Sequence, residues 1–115
     1  MAKRERYSVE RSAAAERDLD ALFDFLLASY MHFGDTLECA FDRASARIER
    51  VKAELRALEN ALHPDMLPGM RSVTKDRAIY YFTVDDSAHV VRVLAIFFGG
   101  QDHQREMLKR LFKLS

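Results

Sequence analysis

Leu37, Phe41, Ala44, Ile48, Val51, Leu55, Leu58 and Leu62 follow one another at alternating steps of four and three residues. That spacing is a helical seam with a period of about 3.5 residues, and a strand would scatter the same side chains over both of its faces. Asp35 starts the segment, with Glu38 three residues on as an acidic form of the capping box, and His63-Pro64 ends it. The spacing therefore predicts a helix over 35–62, about 42 Å long at 1.5 Å per residue. Just upstream, Ala15, Leu19, Leu22, Phe23, Leu26 and Tyr30 fall on one side of a second helix, capped by Ser12 and stopped by Gly34. Asp18, Asp20 and Asp24 point away from that stripe, and Phe25 falls outside it. So short a connection forces the two helices antiparallel, as a helical hairpin.

The remainder reads as strands and one more helix. Arg6-Tyr7-Ser8-Val9-Glu10 alternates as a short strand ahead of the hairpin, and Met70 to Lys75 is a second. Ala78-Ile79-Tyr80-Tyr81-Phe82-Thr83-Val84 is β-branched and aromatic. Asp85-Asp86-Ser87 turns the chain into a strand over 89–98, which Gly99-Gly100 breaks. A helix over 101–114 carries Met107, Leu108, Leu111 and Phe112 on its apolar side. The expected class is α+β: an N-terminal strand, a long helical hairpin on a small antiparallel sheet of three further strands, and a C-terminal helix. One domain over 1–115 is expected at this length, which buries roughly 65% of the unfolded surface without disulfides or metal.

Composition narrows the function classes. Eighteen Lys and Arg balance eighteen Asp and Glu, which argues against a general polyanion binder. The balance is uneven along the chain: residues 18–70 hold five basic and ten acidic side chains, and both ends are basic. The longest apolar run, 93–98, is far short of the about 20 residues of a membrane span. No apolar stretch follows the basic start, so no signal peptide is expected, and a soluble cytoplasmic protein is. The single cysteine, Cys39, cannot form an internal disulfide and reads as a small filler on a helix.

Strict alternation over 90–98 places Val91, Val93, Ala95 and Phe97 on one side of the strand. Val90, Leu94, Ile96 and Phe98 then fall on the other, with Arg92 among them. Both faces are apolar, so the second needs the last helix or a partner chain to cover it. His32, His63, His89 and His103 fall on four different elements without ligand spacing, and no metal or cofactor is expected. Gly99-Gly100 before a helix is a weak phosphate signal. The most serious enzymatic option is metal-free RNA cleavage, which needs a base, cations and an acid. Arg71, Arg77, Arg92, Tyr80, Tyr81, His89 and His103 are of the right types, although Tyr80 and Tyr81 face opposite sides of their strand.

Four strings, in this order around the hairpin, resemble a known family. They are Tyr7-Ser8-Val9 with Ala13-Ala14-Ala15-Glu16-Arg17-Asp18-Leu19; Pro68-Gly69-Met70-Arg71-Ser72-Val73; Arg77-Ala78-Ile79-Tyr80-Tyr81; and the run from Val90 to Asp102 that ends in Phe97-Phe98-Gly99-Gly100-Gln101-Asp102. Together they are similar to the RelE/ParE toxin superfamily of bacterial type II toxin–antitoxin systems, and look closest to the ParE branch. ParE-like sequences commonly carry Arg where Ala95 stands, His where Phe98 stands and Arg where Gln101 stands. The ribonuclease branch clusters basic residues after the glycine, whereas this chain offers Gln101-Asp102-His103, with Arg105 nearby.

The resemblance implies a toxin that traps DNA gyrase and is silenced by a ParD-like antitoxin, without sequence-specific nucleic-acid binding of its own. Its alternative is a RelE-like, ribosome-dependent endoribonuclease of messenger RNA, with Arg71, Arg77 and His103 as its working groups. A third reading, prompted by Ala95, Phe98 and Gln101, is a degenerate toxin that survives as a binding partner. The resemblance further implies an antitoxin with an amphipathic tail. The surface expected for that tail is Leu94, Ile96 and Phe98, with Phe25 as a second anchor and Arg92 pairing with an acidic residue at the rim.

Overall fold

A computed structural model describes residues 7–58, 70–99 and 102–114 of the chain. In order these form β1 (Ser8–Arg11), α1 (Ala13–His32), α2 (Leu37–Arg56), β2 (Met70–Lys75), β3 (Ala78–Asp85), β4 (Val90–Phe98) and α3 (His103–Leu114). The fold is α+β, with the helical hairpin on one face of a four-stranded sheet and α3 against the other. The strands lie in the order β1-β4-β3-β2. Those expected after the hairpin pair antiparallel, but β1 joins β4 in parallel, so the sheet is mixed. α2 ends at Arg56 with Ala57 as its C-cap, short of the expected Leu62, while the His63-Pro64 stop, the Pro68-Gly69 corner and Gly100-Gln101 lie outside the described residues.

Local chemistry sets the hairpin's ends. The Ser12 hydroxyl accepts from the Ala15 N–H at 3.1 Å and donates to the Leu94 carbonyl at 3.2 Å, so one side chain caps α1 and ties it to β4. Past Phe33, Gly34 adopts φ +104°, with Gly34 N–H on the Met31 carbonyl and Asp35 N–H on the Tyr30 carbonyl. This pair of bonds is a Schellman stop, and it needs the left-handed glycine. It also uses Asp35, which moves the next cap along by one residue. Thr36, not Asp35, caps α2, accepting from the Cys39 N–H at 3.2 Å, while Asp35 forms an ion pair with Arg43 at 2.7 Å.

The α2 seam is buried where it meets the sheet layer, through Ala44, Ile48, Val51, Leu55 and Leu58. Near the closed end of the hairpin it departs from the expected register. Leu37 and Phe41 are 59% and 53% exposed, and Ala40 is buried in their place. Alanines at 40 and 44 allow the two helices to approach closely there. Phe41 is left to meet Phe23 edge-on, their ring centroids 5.5 Å apart. Cys39 is exposed rather than filling a gap.

The pairing of β3 with β4 slips by one residue, from Tyr81↔Ala95 to Phe82↔Val93, so Leu94 has no partner opposite it. That β-bulge reverses the alternation expected for β4. Val91, Val93, Ile96 and Phe98 face the hairpin with Tyr80 and Phe82, whereas Ala95 and Phe97 join Tyr81 and Met107 on the α3 side, where Leu94 also packs. α3 covers this second face through Met107, while Leu108, Leu111 and Phe112 are exposed.

Two side chains tie the layers at the β2–β3 edge. Tyr80, fully buried, donates its hydroxyl to Glu54 of α2. Burial, and then that hydrogen bond, raise its ionisation well above the ordinary value of 10.0. The turn between β2 and β3 has only two central residues, Asp76 at φ 50° and Arg77 at φ 67°. This is the mirror-image turn that suits strand twist and usually carries glycine. Arginine in that conformation costs about 1 kcal/mol. Arg47 braces the turn by donating to the Asp76 carbonyl at 2.6 Å.

Two outcomes are expected. Leu55→Ala should lower the unfolding free energy by about 2–5 kcal/mol in urea titrations, and Leu37→Ala should change it by about 0.5 kcal/mol or less. Equal losses would show that the whole seam is core. Because the folded state raises the Tyr80 pKa, the stability this gives is complete below about pH 10 and declines at higher pH. In an absorbance titration Tyr80 should ionise only as the fold opens. Tyr80→Phe should flatten the alkaline decline, and an unchanged slope would dismiss the assignment.

Candidate functional site

β1 ends at Arg11, where its pairing with β4 stops at Val93. Beyond that point the outer edge of β4 has lost its neighbouring strand, and its backbone groups need other partners. Side chains of the first helix supply them. Ser12 takes the Leu94 carbonyl, and the Asp18 carboxylate accepts the Ile96 N–H at 2.8 Å. Asp18 also receives Arg110 of α3 through both guanidinium nitrogens, at 2.7 and 2.8 Å. One nearly buried carboxylate thus fastens α1, β4 and α3 together. The hydrogen bonds to Asp18 raise the Arg110 pKa above its ordinary value, against the lowering effect of burial. The Arg110 guanidinium lies over the Phe97 ring, 4.7 Å from its centroid.

Beside this clamp is an open cleft of about 570 Å³. α1 contributes Asp18, Ala21, Leu22 and Phe25, the end of β4 contributes Ile96, Phe97, Phe98 and Gly99, and Arg77 and Arg110 complete it. The Gly99 N–H donates to the Arg77 carbonyl at 3.0 Å, pinning the β2–β3 turn to the rim. On the hairpin side, Arg47 lies over the Phe98 ring at 5.3 Å. Phe25 is 60% exposed along one wall, although it lies off the buried stripe of α1.

Of the five residues expected to bind a partner tail, this cleft gathers Phe25, Ile96 and Phe98. The other two lie elsewhere, because the bulge at Leu94 reverses the phase between them. Leu94 packs on the α3 side of the sheet, and Arg92 forms an ion pair with Glu10 at 3.5 Å, across β1 and β4. The groups expected for RNA cleavage do not converge. Arg71 lies opposite Phe82, on the hairpin-facing side of the sheet. His103 is on the α3 side, its Nδ1 2.7 Å from the Tyr81 hydroxyl. Arg77 is in the β2–β3 turn and His89 stacks edge-on with Tyr7, and Tyr80 and Tyr81 point to opposite faces of the sheet. Among the described residues no three His, Cys, Asp or Glu side chains gather as a metal-ligand group.

Sequence reasoning missed Asp18 and Arg110. Asp18 was expected to point away from the packed stripe, and the two are 92 residues apart. One signal was available: His103, Met107 and Arg110 share a face of α3 at steps of four and three.

Asp18→Ala should cost about 1–3 kcal/mol in thermal or urea unfolding, since it strands the Ile96 N–H and uncouples α3. Arg110→Ala, at a partly exposed partner, should cost about 1 kcal/mol or less. Equal losses would mean that the Ile96 contact contributes nothing.

No protein-family model and no curated protein matches the chain. Among solved structures it is similar to a chain of the chromosomal ParDE TA system from P. aeruginosa. That likeness has 19% identity and a TM-score of 0.59, over 80% of this chain and 95% of that one. A looser likeness, with 21% identity and a TM-score of 0.47, is to the toxin-antitoxin complex RelBE2 from Mycobacterium tuberculosis, over 86% of this chain and 98% of the other. Strand, helical hairpin, three-strand meander and closing helix are therefore a fold that this chain shares with a chain of the ParDE system.

Proposed function

We propose that this chain is the toxin of a type II toxin–antitoxin module, of the ParE kind. In this reading it inhibits DNA gyrase and is neutralised by a ParD-like antitoxin. The observation that carries it is the likeness of fold, over four-fifths of the chain, to a chain of a ParDE system. The gyrase branch is favoured over RNA cleavage by where the cations and the imidazole lie. A ribonuclease needs its base, its phosphate cations and its acid around one scissile phosphate. Here Arg71 and His103 are on opposite faces of the sheet, and the His103 ring is engaged by Tyr81. Ala95 is buried and Phe98 lies under Arg47, so two of the three positions that depart from the ParE pattern serve packing in this chain.

Induced expression alone should arrest growth. The purified protein should inhibit gyrase supercoiling and accumulate cleaved DNA–gyrase complexes, while messenger RNA in a translating extract stays intact. Cleaved messenger RNA with unaffected gyrase would reverse the assignment, and normal growth with neither effect would end the toxin reading.

A further inference from the structure

Two apolar patches lie outside the cleft, and their charges are opposite. At the closed end of the hairpin, Leu37 and Phe41 stand four residues apart on α2 and are mostly exposed. Glu38 and Asp42 follow them by one position each, and neither carboxylate has a hydrogen bond or ion pair with a described residue. The neighbouring cation, Arg43, is held by Asp35 at 2.7 Å and lies over the Tyr30 ring. On α3, Leu108 and Phe112 are likewise four residues apart and are 55% and 77% exposed. The sequence of α3 holds four basic residues and one acidic. Arg110 is taken by Asp18, and Lys109 meets Glu106 only in an exposed pair at 3.4 Å, which is worth little. Neither patch can pair with its own kind without setting like charges against each other. Each fits the other. A helical residue one position later than another, or three earlier, lies to the same side of it. Glu38 and Asp42 therefore flank Leu37 and Phe41 on the side on which Arg105 and Lys109 flank Leu108 and Phe112. When two helices lie antiparallel, those sides face each other across the seam.

We propose that two copies of this chain associate by reciprocal exchange, the start of α2 in each lying antiparallel on α3 of the other. Leu37 and Phe41 pack on Leu108 and Phe112, and Glu38 and Asp42 meet Lys109 and Arg105. A single helix pair of this length covers too little surface for a stable complex, which clears about 1,000 Å². A two-fold axis repeats the contact, so both patches of both chains are covered and the assembly closes. A second copy is the better partner because the chain itself carries both halves of the match, in apolar spacing and in charge. An anionic lipid surface would suit α3, but it would leave Leu37 and Phe41 exposed and repel Glu38 and Asp42. The cleft takes no part in the contact, so the proposal does not rest on the toxin reading.

Sedimentation velocity on the purified chain, from about 5 µM to about 0.5 mM, tests the proposal. A shift from monomer to dimer is expected, with association weakened about fivefold between about 0.05 and about 0.5 M NaCl. Glu38→Lys with Asp42→Lys, or Arg105→Glu with Lys109→Glu, should each lower the association constant about tenfold or more. An equimolar mixture of these two variants should dimerise again, because both contacts then join opposite charges. Circular dichroism checks that each variant is folded. Should a charge reversal unfold the chain, Leu37→Ser and Leu108→Ser decide the matter, each lowering association about tenfold. A monomer at every concentration, species that grow beyond the dimer, a dimer indifferent to these changes or a mixture that fails to re-form it would each overturn the proposal. Co-sedimentation of a monomer with phosphatidylglycerol vesicles would overturn it too, and assign α3 to a lipid surface.

Discussion

The Asp18 carboxylate is the point on which the arrangement of layers depends. A mixed sheet whose first strand is only four residues long leaves the neighbouring strand with an open edge, and unpaired backbone groups there are costly. Asp18 resolves this by accepting the Ile96 N–H, which positions α1 over the end of β4. The same carboxylate then needs a cation, because a nearly buried negative charge without one is unfavourable. Arg110 provides it through two hydrogen bonds and brings α3 onto the opposite side. Fold and cleft are therefore coupled: the group that completes the sheet edge also lines the cleft.

The bulge at Leu94 has comparable reach. Without it Ile96 and Phe98 would lie on the α3 side, and the hairpin would meet Ala95 and Phe97 instead. The extra residue turns the last third of β4 over, so the two large side chains Ile96 and Phe98 meet α1 while Phe97 lies beneath Arg110. Each of the two terminal phenylalanines carries an arginine on its ring, Arg47 on one side of the sheet and Arg110 on the other. These guanidiniums are used for packing and hydrogen bonding within the fold. Arg77, the remaining cation of the cleft, comes from the β2–β3 turn.

The hairpin is rigid where it meets the sheet and less committed at its closed end. Ile48, Val51 and Leu55 interlock with Leu19, Leu22 and Leu26, whereas Phe33, Leu37 and Phe41 are mostly exposed. A seam that is continuous in sequence is thus divided in space, because the sheet offers a packing surface to only part of a long helix.

The one-dimensional pattern determined whatever depends on local periodicity and turn chemistry. The hairpin, the Gly34 stop, the three-strand meander and the amphipathic α3 all follow from spacings within a few residues, which the chain displays before it folds. Of the candidate site, Phe25, Ile96 and Phe98 were legible as surplus apolar groups. Tertiary structure alone decided the parallel docking of β1, the reversal of phase at Leu94, the pairing of Arg92 with Glu10 and the meeting of Asp18 with Arg110. The reason is physical: a bulge or an ion pair between distant segments is selected by the competing demands of surfaces that come into contact only after folding. A charged residue spaced for solvent looks the same in sequence whether it faces water or closes the open edge of a strand.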